Sequence, residues 1–148
     1  MPHVIIEYSA NLEEAVDVRE LVRAAHTAVR ATGIAPLTGL RTRGARRELY
    51  EVADGAPENA FVNVVARLAA GRTTEQRAEL LEVLLEVVDD RLGEARRSTV
   101  ISVECQEIEP EMRLSRNHLT AGHGGAEPVE PLRQLADEQE GSDEPAHR

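Results

Sequence analysis

The stretch that decides the fold is the first one, Met1-Pro2-His3-Val4-Ile5-Ile6-Glu7-Tyr8-Ser9. Val4, Ile6 and Tyr8 alternate with His3, Glu7 and Ser9, and β-branched residues dominate, which predicts a half-buried strand. Pro2 stands at its first position, where a missing N–H costs the ladder nothing. Proline is small enough that the initiator Met1 is expected to be trimmed. That leaves a secondary amine fixed at the end of a strand. An α-amino group ordinarily titrates at roughly 7.7–8.0, against roughly 10.4 for lysine. Partial burial and nearby cations push it further toward its neutral form, which is the form a general base needs.

Outward from this strand the chain turns helical. Asn11 and Glu14 are spaced as a capping box, and Ala15, Val18, Val22, Ala25 and Val29 recur at helical spacing. Gly33 stops the helix and Pro36 forbids an early restart. Residues 37–43 and 48–53 predict two short strands, the first edge-like, and Asp54-Gly55 signals a turn. The opening pattern then returns, offset by about sixty residues. Phe61–Leu68 predicts a strand, Thr73-Thr74-Glu75-Gln76 a second capping box, and Ala78, Leu81, Leu85, Val88 and Leu92 a helical stripe closed by Gly93. Thr99–Cys105 predicts a further strand, ended by Pro110.

Strand-helix-strand therefore occurs twice, which makes the fold class α+β with a tandem β-α-β repeat. Two units predict one four-stranded sheet with both helices on one face, plus the short strands of residues 37 to 53. Ile5 and Val65 point away from the helical side, so the second face is partly apolar and needs a partner subunit. An obligate oligomer is expected.

Composition narrows the function. The formal net charge is −10, which argues against nucleic acid and anionic membrane as partners. All 17 basic residues are Arg, so a lysine Schiff base, a lysine general base and a P-loop are excluded. Cys105 is the single cysteine, which rules out an internal disulfide and suits a reducing compartment. No apolar run reaches the roughly 18 residues of a membrane span, and no signal peptide is legible, so a cytoplasmic protein is expected. From residue 120 the chain changes. Glu127, Glu130, Asp137, Glu138, Glu140, Asp143 and Glu144 face only Arg133 and Arg148, among Gly and Pro. Residues 1–119 are expected to form the domain and 120–148 an acidic, disordered tail.

Four stretches resemble one family. They are Pro2 to Asn11; Ala31-Thr32-Gly33-Ile34-Ala35-Pro36-Leu37 with Gly39-Leu40-Arg41-Thr42-Arg43; Ala53-Asp54-Gly55 leading to Ala60-Phe61-Val62; and Ala70-Gly71-Arg72. In order they are similar to the 5-carboxymethyl-2-hydroxymuconate isomerases of the tautomerase superfamily, over about residues 2 to 119. The resemblance implies a homotrimer whose sheets line a central barrel. It also implies a cofactor-free, metal-free isomerase in homoprotocatechuate breakdown, acting on a small anionic dienol diacid. It carries Pro2 over as the catalytic base, and Arg41 and Arg72 as binders of substrate carboxylates. Arg suits that task, since its planar fork is bidentate and its charge does not titrate. Arg43 shares the strand face of Arg41 but reads as a solvated edge charge.

The same residues leave two other readings open. One is a broader keto-enol tautomerase acting on another 2-hydroxydienoate or an arylpyruvate. The other is a non-enzymatic trimer that binds a basic partner through its tail. The five histidines show no metal spacing with each other or with Cys105, which reads as a small core residue, and His26 reads as partly solvated. Glu7 and Tyr8 receive no role.

Overall fold

The computed structural model describes residues 2–119. Met1 and the acidic stretch 120–148 lie outside them, and with them the expectations of Met1 removal and of a disordered tail.

The elements run β1 (His3–Ser9), α1 (Val18–Thr32), β2 (Arg41–Arg47), β3 (Ala60–Ala69), α2 (Thr74–Leu92) and β4 (Thr99–Ile108). They form one four-stranded sheet in the order β2-β1-β3-β4. β1 pairs with β2 in parallel, β3 with β4 in parallel, and the two units meet through the antiparallel β1–β3 pair. The tandem β-α-β reading is therefore the architecture. The period-two pattern of β1 puts Val4, Ile6 and Tyr8 on the helical side, level with Ala66, Val64 and Val62 of β3. Leu21, Ala25 and Val29 of α1 and Leu80, Leu84, Val88 and Leu92 of α2 close over them. Burying a side chain of Ile6's size contributes roughly 1.5–3 kcal/mol.

The opposite face is uncovered among the described residues. Ile5 and Val65 are half-buried there and Val100 is 58% exposed, interspersed with charged side chains.

Several expectations need correction. The first helix does not start at Asn11. Ala10–Glu14 is a 3₁₀ turn, and α1 is capped by Asp17, whose carboxylate accepts from the Glu20 N–H. Asn11 instead donates its amide to the carbonyls of Pro57 and Asn59, a pair of distant partners that a local capping pattern cannot reveal. Residues 37–43 are not one strand: Leu37–Gly39 turns, and β2 begins only at Arg41, at the sheet edge as expected. Residues 48–53 form no strand. Asn59 donates to the Val52 carbonyl and to the Asp54 carboxylate, and so shapes a turn around Ala53 and Gly55, both at positive φ. On α2 the stripe is Leu80 and Leu84, not Leu81 and Leu85; Leu85 is 44% exposed. The second capping box is present, with Thr73 and Gln76 bonding each other's backbone N–H. Gly33 closes α1 in the left-handed conformation. Cys105 is only partly buried, against the edge of the core.

Candidate active site

Parallel pairing brings one end of the sheet together. Pro2 precedes β1, Arg41 opens β2, and β3 and β4 both end there. Pro2 is fully buried, and its carbonyl accepts from the Arg41 N–H at 3.2 Å. Pro2 and Arg41 are thus adjacent, as the register His3 to Arg41 requires.

Arg72 stands at the same end, just beyond β3. Its Nε donates to the Ile34 carbonyl at 3.1 Å and its Nη1 to the Ala69 carbonyl at 2.9 Å. Two backbone acceptors therefore fix the plane of a half-buried guanidinium that presents five N–H donors in all. Arg43 is exposed, yet its Nη1 lies 3.0 Å from His3 Nδ1.

Three positions had no functional reading from sequence. His3 has Arg41 Nη1 at 2.9 Å from its Nε2, on the opposite ring edge from Arg43. A neutral imidazole has one acceptor nitrogen, so His3 satisfies one guanidinium at a time. Arg67 is level with His3 across the β1–β3 pair. Burial first, and then the charges of Arg41, Arg43 and Arg67, hold the His3 pKa below its ordinary 6.5. Arg113 is the third. Its pKa is lowered from the usual arginine value by burial and then by Arg41 and Arg72. Nothing local marks these residues: they converge only through strand register and through the segment after β4.

Among the described residues, Arg41, Arg43, Arg67 and Arg72 have no carboxylate within ion-pair distance, whereas Arg46, Arg47 and Arg77 each do. Cations left without counterions around a buried proline suit an anionic ligand. The other end of β1 differs. A concavity of about 730 Å³ there is lined by Tyr8, Glu13, Asp17, Arg19 and Arg23, among others, so its two carboxylates stand beside two guanidiniums. Tyr8 donates to Glu13 at 2.7 Å, and burial with that bond pushes its pKa up to about 12. Glu7 is paired with Arg47.

Comparison with known proteins gives the family and the fold. Residues 2–122 match the family model for 5-carboxymethyl-2-hydroxymuconate isomerase. The chain is 32% identical to the 5-carboxymethyl-2-hydroxymuconate Delta-isomerase of Escherichia coli, over 82% of this chain and 98% of that one. It superposes on the crystal structure of a 5-carboxymethyl-2-hydroxymuconate isomerase from Deinococcus radiodurans R1 with a TM-score of 0.72 and 31% identity, covering 78% and 89% of the two chains. A fused 4-OT, solved as a symmetric trimer, shares the fold at a TM-score of 0.56 and 24% identity, over 77% and 93%. The fold is that of the tautomerase superfamily, and this chain, an isomerase, belongs to the 5-carboxymethyl-2-hydroxymuconate isomerase family.

Proposed function

We propose that the protein is a cofactor-independent 5-carboxymethyl-2-hydroxymuconate Delta-isomerase of homoprotocatechuate breakdown, in which Pro2, freed of Met1, is the base. The observation that supports this most is the buried Pro2 bonded to the first residue of β2, at a sheet end crowded with uncompensated guanidiniums. The 2-hydroxyl proton passes to the neutral proline nitrogen. The two double bonds of the dienol shift by one place as the hydroxyl becomes a carbonyl. The proton then returns to C5. No electrons leave the substrate, so no redox cofactor is called for. Arg41 and Arg72 hold carboxylates and the oxygen on which charge develops, which is where preorganised donors matter most. The same cations disfavour the protonated form of the amine.

The uncovered sheet face supports a homotrimer as the working unit, closed around it. In this reading a neighbouring subunit supplies part of the wall around the Pro2 end of the sheet. Residues 120–148 are an appendage to the 1–119 domain and take no part in catalysis.

The test is Pro2→Ala, followed by ultraviolet loss of the dienol, with intact mass to establish Met1 removal. Turnover is expected to fall by about 10²–10⁴-fold, the usual contribution of a positioned base, with sedimentation unchanged. Near-native turnover in that variant, or full activity in protein that retains Met1, would overturn the mechanism.

A further inference from the structure

Arg72 and Arg41 are held in different ways. Two backbone carbonyls, those of Ile34 and Ala69, fix the Arg72 guanidinium. The Arg41 side chain is exposed, and among the described residues its hydrogen-bond partner is His3, whose Nε2 lies 2.9 Å from Arg41 Nη1. A long exposed arginine left to itself spreads over many rotamers. What orders this one is a ring on the neighbouring strand, at the same level of the β1–β2 pair.

That ring meets a second cation. Arg43 Nη1 stands 3.0 Å from His3 Nδ1. Guanidinium nitrogens only donate, and a neutral imidazole accepts through one nitrogen and donates through the other. Of the two contacts, one is therefore a hydrogen bond and the other sets donor against donor. An imidazolium would set both against donors. The neutral ring is favoured by burial, then by Arg41 and Arg43 of β2, Arg67 of β3 and the amino terminus. Of the two β2 arginines, Arg41 is the one tied to Pro2, through its backbone N–H. We propose that His3 is a positioning residue: with its hydrogen on Nδ1, it accepts from Arg41 through Nε2 and aims that guanidinium at a substrate carboxylate, leaving Arg43 without an acceptor on the ring. This rests on the isomerase reading for the task of Arg41.

The experiment compares full-length wild type, His3→Gln and His3→Leu. Gln keeps an acceptor and does not titrate; Leu keeps apolar bulk and no acceptor. H3L is expected to raise KM for 5-carboxymethyl-2-hydroxymuconate about 10-fold with kcat little changed, as for one lost hydrogen bond to a charged group, and H3Q to restore most of the loss. In calorimetry, H3L is expected to weaken glutarate, an unreactive dicarboxylate, by the same factor. The nitrogen-15 spectrum of wild type at about pH 7.5, with the His3 signal identified by its absence from H3Q, is expected to show a neutral ring with its hydrogen on Nδ1. The form with its hydrogen on Nε2 would hand the acceptor to Arg43 and overturn the assignment, whether or not H3L folds. So would H3Q as impaired as H3L, or a loss confined to kcat. His3-dependent glutarate binding by a protein that does not isomerise the dienol would leave the positioning role standing and sink the isomerase reading alone.

Discussion

His3 is the residue whose environment departs furthest from what its neighbours in sequence suggest. It is flanked by Arg41 and Arg43 and stands level with Arg67. Its pKa is lowered in the folded protein, so between that lowered value and 6.5 the unfolded chain binds more protons than the folded one. Stability then rises with pH across that window and is lost as pH falls through it. His3→Asn removes this dependence. Thermal unfolding at fixed protomer concentration, between about pH 7.5 and about pH 5.5, is expected to show a steeper loss on acidification for wild type than for the variant. Matching curves would mean that neither burial nor the neighbouring guanidiniums lower the His3 pKa. Of the proposed site, Pro2, Arg41 and Arg72 can be named from sequence because the family resemblance runs through the short motifs that hold them. His3, Arg67 and Arg113 cannot, because their meeting depends on β1 lying between β2 and β3 and on the segment after β4, dozens of residues away.

At the scale of elements, α2 shows where periodicity serves and where it misleads. Its sequence carries apolar residues at Leu80, Leu81, Leu84, Leu85, Val87 and Val88, so two adjacent stripes fit the helical repeat equally well. Packing selects the one that faces β3 and β4, with Leu80, Leu84, Val88 and Leu92 buried. Leu84→Ala is therefore expected to destabilise the protein by about 2–5 kcal/mol, and Leu85→Ala by about 1 kcal/mol or less. Urea unfolding of both variants at one protomer concentration checks this, and the reverse order would contradict the observed register. β1, β3 and β4 were legible from alternation, and the helix ends from Thr73, Gln76, Gly33 and Gly93. What failed was the start of α1, because Asn11 spends its amide on Pro57 and Asn59, and the region 48–53, where Asn59 and Asp54 organise a turn that alternating apolar residues imitate.

For the whole molecule, the deciding feature is a sheet that, among the described residues, carries helices on one side only. Ile5 and Val65 are level with each other on the open side, and Glu104 of β4 is level with Val65. Water against that face leaves apolar surface exposed, whereas in the proposed homotrimer a second and third copy would cover it. Val65→Glu separates these states without touching the helical core. It sets a carboxylate directly opposite Glu104, an unfavourable pair, and puts a charge where a subunit contact would dehydrate it. The far-ultraviolet circular dichroism of the protomer is expected to persist, since Val62, Val64 and Ala66 on the buried side are unchanged. Sedimentation velocity is expected to show dissociated protomers at concentrations where the wild type sediments as the proposed trimer. If the proposed trimer is the working unit, isomerisation is expected to fall in proportion to the assembly lost. A V65E protein that remains trimeric and fully active would put the subunit contact elsewhere and leave the open face to some other occupant.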